Sequence, residues 1–436
     1  MIKFLTEVNQ ILWGSGLTGL LIGMGIFCLF YPDMQCLKSF GLLRSKRENA
    51  ENPERIPVFQ SCMTSLAAAM GTGNIVGVAT ALTLGGAGAI FWMWISAFCG
   101  MGLIYAENVL SCRYRKGQTS GAAAYLRYGL HSPILAGIFA ICCIAASFGM
   151  GNMTQSHAMA EILQASFRIP GWVTGILTMI ILFLIISGGS RRIAKFSSVI
   201  IPIITGIYLL CILIIIFNYR ANLPGAINSI FREAFGISAI GGGISGTAVK
   251  YAISVGVRRG VFSNEAGLGS SGLLHGEASG NPEFLGLCGM LEVIADTFIC
   301  CTATALAILC TGALQSGTDG AELVLNAFRM GLGNSADWIL PPIIALFAFC
   351  TLTGWCYCGI NALKSLTLNP KLLKAYQILF CIAAFIGTVM KLELIWTLAD
   401  MANACMAYCN LPAMLLLLPE IKTAVLRKQY SGRVSQ

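Results

Sequence analysis

The fold is decided by a stretch that reads SCMTSLAAAM-GTGN-IVGVATALTL from Ser61 to Leu84. Two apolar segments of helical composition flank Gly71 and Gly73. Glycine disfavours a helix by about 1 kcal/mol relative to alanine. Glycines that serve helix packing are usually four residues apart and share one face of the helix. Because these two glycines are almost contiguous, we predict that a membrane helix unwinds at residues 71–74.

A second glycine cluster, Gly241-Gly242-Gly243-Ile244-Ser245-Gly246, interrupts another apolar stretch at 236–258. Glycine-interrupted segments at corresponding positions in two halves of a chain are typical of transporters with inverted repeats and a binding site at the membrane midplane. We therefore predict a second break at Gly242–Gly246. The segment Ser263–Ser271, which follows this stretch, is expected to be a tightly capped cytoplasmic loop, in which Glu265 couples the second break to a gate.

The composition is that of a membrane protein. The chain has 436 residues, 56% hydrophobic and 11% charged, with a mean hydropathy of +0.76. A soluble domain carries roughly 25% charged residues, so a soluble enzyme is excluded and the net charge of +9 does not suggest nucleic acid. Apolar runs of membrane-spanning length, about 20 residues, predict about eleven transmembrane helices. They lie near 11–30, 61–84, 89–112, 133–165, 171–189, 193–218, 236–258, 284–312, 338–361, 374–390 and 394–418.

The basic residues predict the orientation. Alternate loops hold 21 basic residues in one set, which includes Arg258 and Arg259, and six in the other. The positive-inside rule makes the first set cytoplasmic, with the N-terminus outside and the C-terminus inside. The two broken helices then run in opposite directions, as inverted repeats require. The expected segments are 1–60 (peripheral helix and basic loop), 61–218 and 219–418 (five helices each) and 419–436 (cytoplasmic tail).

An unwound helix exposes backbone groups that can bind a ligand. The half-helix that begins near Asn74 directs its positive dipole end at the break, so the amides of Thr72 and Gly73 suit an amino-acid carboxylate. The carbonyl groups that end the preceding half-helix, near Ala67 and Met70, suit a sodium ion instead.

Several motifs resemble the alanine/glycine:cation symporter family. The most specific is the uninterrupted run RGVFSNEAGLGS at 259–270, beside GTGNIVG at 71–77, GMGNMTQ at 149–155 and Asp296-Thr297. The resemblance implies an all-α LeuT-type fold with two inverted five-helix repeats, two broken helices and an extra N-terminal helix. It also implies import of alanine or glycine with sodium, or sometimes protons, by alternating access.

The resemblance assigns residues to two sites. The amino acid is expected to contact Thr72, Gly73, Asn74, Gln155, Gly242, Gly243, Ser245, Gly246 and Trp355. Of these, Gln155 and Trp355 are expected to limit the volume of its side chain. Sodium is expected at Ala67, Met70 and Thr351.

The chain departs from the family pattern in two places. Cys350 stands where the family pattern has a threonine, and sodium prefers hard oxygen ligands, although Thr351 and Thr353 remain. Lys250 lies inside a predicted span, where a charged side chain is costly and often functional. Its amine either replaces a cation or carries a proton, or the side chain points into an aqueous cytoplasmic vestibule or snorkels. Asp296 is either a structural hydrogen-bond hub or a proton site.

The other polar residues are given ordinary roles. The 18 cysteines lie mostly in apolar spans and are interpreted as small core residues. His275 falls in a predicted loop where nothing marks it as a ligand. No catalytic cluster is evident, so an integral-membrane enzyme is a less favoured alternative.

The sequence thus predicts a multi-pass protein of the bacterial inner membrane whose partners are a small neutral amino acid and the lipid bilayer. Neither nucleic acid nor an obligate protein partner is expected. A proton-coupled or exchange-type carrier that uses Lys250 or Asp296 is the alternative within transport.

Overall fold

The computed structural model describes residues 2–30, 55–236, 245–390 and 393–434. Helices dominate these ranges. In chain order they are α1 Ile2–Leu12, α2 Ser15–Phe30, α3 Val58–Ala69, α4 Val76–Gly85, α5 Gly88–Tyr114, α6 Ala122–Ala124, α7 Pro133–Phe148, α8 Thr154–Phe167, α9 Gly171–Ile186, α10 Gly189–Asn218, α11 Leu223–Ala234, α12 Ser245–Asn264, α13 Ser270–His275, α14 Pro282–Val293, α15 Thr302–Thr311, α16 Gly320–Leu332, α17 Ala336–Leu366, α18 Pro370–Val389 and α19 Glu393–Val434. Two short strands, β1 Ile56–Pro57 and β2 Ala278–Ser279, pair in parallel.

The first predicted break is present. Helices α3 and α4 are bent by 58° around a 3₁₀ turn at Thr72–Asn74. The backbone leaves helical geometry at Met70 and Gly71, where the glycine adopts φ −114° and ψ −146°. All residues from Met70 to Ile75 are buried. The break therefore lies inside the protein, between two half-helices that form one bent span.

Two other spans contain wide helical turns. A π-helical segment at Gly149–Met153 joins α7 to α8, and another at Ile294–Cys301 joins α14 to α15. Such segments often mark functional sites because they displace side chains relative to the regular helix. Here they bring Gln155 and Asp296 beside the first break.

A further interruption lies at a place that was not predicted. Gly242 and Gly243 fall outside the described residues, and Ser245 and Gly246 lie in the first turn of α12. That helix continues to Asn264, and the chain is interrupted at 265–269 before α13 begins. The φ angles there are left-handed: 58° at Glu265, 87° at Gly267 and 81° at Gly269.

The prediction of a cytoplasmic loop at Ser263–Ser271 is wrong. These residues are buried, and Ser263 contacts Asp296 in the middle of the span Pro282–Thr311. Arg258 and Arg259 lie on α12 before this break, so they do not belong to the cytoplasmic set either. Without these two, the basic residues still divide unequally between the two sets of loops, with 19 in one and six in the other.

In the described residues, eight helices are long and apolar enough to cross a membrane, or nine when α3 and α4 count as one span. Helix α9 is a shorter apolar helix of 16 residues. Helix α12 is not among them. The protein is therefore multi-pass, but the number of eleven spans is not confirmed. Much of the basic loop at 31–54 lies outside the described residues, and α19 continues through most of the predicted tail.

The N-terminal helices pack closely against the bundle. Helix α2 lies on α5, where a Cβ at Gly25 would lie 2.5 Å from the carbonyl oxygen of Cys99. Leu17 and Cys28 are fully buried in this contact. Helix α1 packs on α19 instead.

Candidate functional site

The end of α3 leaves a carbonyl group without its helical partner. In an α-helix the oxygen of Ala67 would accept from the amide of Gly71. That amide donates instead to the oxygen of Ala69, at 2.9 Å. The freed Ala67 oxygen accepts a hydrogen bond from the Thr351 hydroxyl on α17, at 3.0 Å. Two hard oxygen atoms, which are the ligand type that sodium prefers, thus face each other across the first break.

Position 71 must be a glycine because Thr351 lies so close to the backbone there. A Cβ there would overlap the Thr351 hydroxyl and would lie 2.9 Å from the Gln155 side-chain oxygen. Glycine therefore lets α17 and α8 reach the unwound backbone. Cys350, the departure noted in the sequence, is buried next to Thr351 and accepts from the Thr353 hydroxyl through its carbonyl oxygen, at 2.7 Å.

Gln155 binds the start of the 3₁₀ turn. Its side-chain oxygen accepts from the Thr72 amide at 3.1 Å and from the Thr72 hydroxyl at 2.8 Å. Its NH₂ group donates to the oxygen of Met150 in the π-helical segment, at 3.2 Å. The amide that was predicted to bind a carboxylate is therefore already directed at an acceptor oxygen. A carboxylate oxygen could take that place.

Asp296 connects the first break to the second. Its two carboxylate oxygens accept from Asn74 at 2.6 Å, from Ser263 at 2.8 Å and from Thr297 at 2.8 Å. Asn264 in turn donates to Thr297, at 3.2 Å. Asp296 as a whole is only 1% exposed. It has the arrangement expected of a hydrogen-bond hub between the two interrupted helices.

Asn74 also presents an unused acceptor. Both hydrogens of its NH₂ group face oxygens of Asp296, which fixes the orientation of the amide. Its side-chain oxygen Oδ1 is buried and has no hydrogen-bond partner among the described residues. A buried acceptor of this kind is costly unless a ligand or water satisfies it.

Glu265 occupies the turn of the second break. Its left-handed φ of 58° is uncommon for a residue other than glycine. Its carboxylate accepts from the Trp355 indole at 2.7 Å and from the Ser270 hydroxyl at 2.6 Å. The predicted substrate residue Trp355 is fully buried and packs on Gly151, where a Cβ would overlap the indole. Trp355 therefore contacts the second break directly.

Glu107 also contacts the second break, which the sequence did not predict. It lies on α5, is fully buried, and accepts from the amide of Gly269 at 3.2 Å and from Asn410 at 2.8 Å. It thus binds the far side of the second break. Its position six residues before Arg113 in the sequence suggested either a gate ion pair with that arginine or an interfacial carboxylate.

Lys250 is not part of this arrangement. Its side chain is exposed on α12, 14 residues before Asn264. At 1.5 Å per residue, that separation is about 20 Å along the helix. Of the two candidates for proton coupling, the structure brings only Asp296 to the break.

Polar contacts close the end of the bundle where α3 begins; we call this region the seal. Glu277 accepts from Lys364 at 3.0 Å and from Tyr357 at 2.8 Å. The backbone amide of Ile56 donates to the backbone carbonyl oxygen of Glu277 at 3.3 Å, beside the β1–β2 pair. Arg115 donates to the carbonyl oxygens of Gly276 and Ala278. The seal therefore attaches the start of α3 to the segment after α13.

A different group of residues closes the other half. Gly73 packs against the ring of Phe262, which stacks on Trp396 with centroids 5.6 Å apart. The guanidinium of Arg259 lies 5.9 Å from each ring centroid. Arg258 pairs with Asp400 on α19, and the Trp13 indole donates to the Asp400 carbonyl oxygen at 2.9 Å.

These features define a class of protein. Two interrupted helices meet at a buried polar centre, and separate contacts close the bundle on either side of it. This is the architecture of a secondary transporter. The structure of MhsT in complex with L-phenylalanine has the same fold, with a TM-score of 0.59, 13% sequence identity, and coverage of 84% of this chain and 91% of that one.

The chain belongs to the sodium:alanine symporter family, whose family model matches residues 1–436. It is 37% identical over 434 residues to the sodium/alanine symporter AgcS of Methanococcus maripaludis, covering 95% of this chain and 94% of the relative. It is 34% identical to the probable sodium/glutamine symporter GlnT of Bacillus subtilis, covering 96% and 88% of the two chains. The resemblance, the all-α LeuT-type fold and the predicted class of sodium-coupled amino-acid symporter are thereby confirmed.

Proposed function

We propose that this chain imports alanine or glycine together with sodium by alternating access. Sodium binds between the Ala67 carbonyl and the Thr351 hydroxyl, with the Met70 carbonyl at the end of α3 as a further ligand. The observation that carries this proposal is the freed Ala67 oxygen, which faces Thr351 at 3.0 Å directly beside the Thr72 amide.

The amino acid binds on the other side of the 3₁₀ turn. Its carboxylate takes hydrogen bonds from the amides of Thr72 and Gly73 and displaces the oxygen of Gln155. Its ammonium donates to the buried Oδ1 of Asn74, which has no other partner among the described residues. The carboxylate and the ammonium of the amino acid then both have partners in the three consecutive residues Thr72–Asn74.

Small substrates are favoured by the packing around the turn. Gly73 lies against Phe262, and Gln155 and Trp355 are both at most 2% exposed. A side chain larger than a methyl group would have to displace one of these residues. We therefore expect a small substrate, which as a neutral amino acid needs no covalent chemistry to be transported.

The orientation follows from the distribution of basic residues. Arg55, Arg113, Arg115, Lys116 and Lys364 all lie at the seal end of the bundle. The positive-inside rule makes this end cytoplasmic. The N-terminus is then outside and the C-terminus inside, in the inner membrane of a bacterial cell.

The test is uptake of labelled alanine into proteoliposomes under an imposed inward sodium gradient, with a matched proton gradient in sodium-free buffer. We expect uptake under the sodium gradient alone, competed by glycine and alanine and weakly by glutamine. Uptake that needs only the proton gradient would show that the coupling ion is a proton instead of sodium, and Asp296 would then carry that proton. Competition by glutamine as strong as that by alanine would overturn the size limit.

A further inference from the structure

Four side chains with metal-ligand chemistry meet between α3, α13 and α14; we call them the Cys62 cluster. They are Cys62, His275, Cys288 and Glu292. Ligand atoms of Cys62, His275 and Glu292 all lie within 4.8 Å of one another. Cys288 lies next to Cys62 but outside that group of three. Cys288 and Glu292 are four residues apart on α14 and so share one helix face.

The hydrogen bonds of His275 leave one ring nitrogen for a cation. The Ser61 hydroxyl donates to the carbonyl oxygen of Leu274, at 3.1 Å. With the hydroxyl hydrogen in that bond, Nδ1 of His275, also 3.1 Å from the Ser61 oxygen, is the donor and carries a proton. Nε2 lies 3.0 and 3.2 Å from the two carboxylate oxygens of Glu292. A neutral Nε2 and a carboxylate both present lone pairs, so a proton or a metal ion must lie between them.

The neighbouring thiols favour a metal ion. Zinc in proteins is bound by cysteine sulfur at about 2.3 Å and by histidine nitrogen at about 2.0–2.1 Å, usually with four ligands in a tetrahedron. Such distances place ligand atoms about 3.3–3.8 Å apart, close to the separations between Nε2 and the Glu292 oxygens. A fixed Nδ1–H hydrogen bond to a neighbouring group is the usual outer-shell support of a metal-bound histidine.

The cluster is also accessible. His275 is fully buried, and Cys288 and Glu292 are 8% and 6% exposed, but Cys62 is only half-buried. Cys62 is the most exposed of the four, so we expect a metal ion to enter beside it.

We propose that the Cys62 cluster is a binding site for a zinc-type divalent metal ion, and that the bound ion holds α3 against α13 and α14. Cys62 lies on the first half of the bent span, and the other ligands lie on elements beyond the second break. A metal bond across this contact adds to the seal, where β1 and β2 already pair. Binding displaces the thiol protons to solvent. By holding α3 in place, the bound ion should inhibit transport. This inhibition rests on the proposed function, but the metal site itself does not.

The test of binding uses the purified full-length chain in detergent with a thiol-free reductant. Cobalt(II) is added and followed by thiolate-to-metal charge-transfer absorption, and zinc is then titrated in competition with a chromophoric chelator. We expect one tight zinc ion per chain. Cys62→Ser and Cys288→Ser should each weaken binding by more than about 100-fold, and Ser61→Ala, which removes the outer-shell partner, by about 10-fold.

The matched control is Cys112→Ser. Cys112 lies on α5 near the same end of the bundle and is also half-buried, but it is not in the cluster. We expect zinc affinity within twofold of the unsubstituted chain. Absence of cobalt absorption in the unsubstituted chain, or equal loss in Cys112→Ser, would overturn the site.

A second test asks whether the bound ion holds α3 in place. It measures alanine uptake with zinc on the seal side of the membrane. We expect zinc to inhibit the unsubstituted chain at least fivefold, with recovery after chelation, while Cys62→Ser transports normally and is insensitive. Bound zinc without inhibition would overturn the role in holding α3 and leave the metal site supported. A chain that transports no amino acid at all would contradict the proposed function, and the binding titration would still decide the metal site.

Discussion

The first break and the seal are both buried and polar, but different kinds of contact stabilise them. At the first break, Thr72, Thr351 and Asn74 each make hydrogen bonds that a sodium ion or an amino acid could replace. At the seal, three separate contacts hold the segment after α13. They are the ion pair between Glu277 and Lys364, the β1–β2 pair and the hydrogen bonds of Arg115. Substitutions at the break should therefore abolish transport, whereas single substitutions at the seal should only shift it.

The largest effect is expected from Gly71→Ala. The added Cβ would overlap the Thr351 hydroxyl and press on Gln155, at a cost of about 1–3 kcal/mol for overpacking. Uptake of alanine should fall by more than about 100-fold. The control is Gly77→Ala in α4, where a Cβ meets no atom within 4 Å and improves helix propensity by up to about 1 kcal/mol. If both variants transported normally, the close approach at the break would have no functional role.

Asp296→Asn should reduce uptake by about 100-fold. The substitution places an NH₂ group among donors from Asn74, Ser263 and Thr297, and each unpaired buried donor costs about 1–3 kcal/mol. Thermal unfolding of the purified variant should show a lower midpoint as well. Asp337→Asn, which alters the exposed pair with Arg329, should change neither quantity. Normal stability together with lost uptake would indicate a proton carrier rather than a hub.

Glu265→Gln should lower uptake by about 10-fold. The neutral amide weakens the charge-assisted bonds from Trp355 and Ser270 that hold the left-handed turn. The loss should appear at both saturating and low alanine concentrations. Glu322→Gln on the exposed face of α16 is the matched control and should transport normally. Unchanged uptake in Glu265→Gln would show that the second break does not depend on this carboxylate.

The smallest effect is expected from Lys364→Met at the seal. Its ion pair with Glu277 is partly exposed, and such pairs contribute less than about 1 kcal/mol. Maximal uptake should change by less than about threefold, while maleimide labelling of Cys62, followed by mass spectrometry, should rise severalfold. A loss of uptake as large as that in Gly71→Ala would show that the other contacts of the seal do not compensate for the missing ion pair.

The sequence predicted the first break and its neighbours well, because Gly71 and Gly73 interrupt a strongly apolar span. Gln155 was assigned through a family resemblance, and the structure places it at Thr72. The second break was predicted at Gly242–Gly246 because that stretch has the highest glycine density. Most of that stretch lies outside the described residues. The interruption that the structure does describe, at 265–269, contains Glu265 and follows a helix with Lys250, Arg258 and Arg259, so its polarity indicated a loop.

The Cys62 cluster could not be predicted in the same way. Its members lie on three elements, and His275 is more than 200 positions from Cys62 in the sequence. Only Cys288 and Glu292 are close in the sequence, and the packing of α3 on α13 and α14 brings the others to them. A histidine in a predicted loop and a cysteine in a span give no separate signal of metal binding.

The most direct test of the account is equilibrium binding of labelled alanine to the purified chain, titrated with sodium. Thr351→Val removes the hydroxyl that faces Ala67, and Thr353→Val removes one that bonds only within its own helix. We predict that Thr351→Val raises the half-saturating sodium concentration by about 10-fold, which corresponds to about 1.4 kcal/mol, and that Thr353→Val changes it by less than twofold. Equal sodium dependence in Thr351→Val and the unsubstituted chain would contradict a sodium site at the first break.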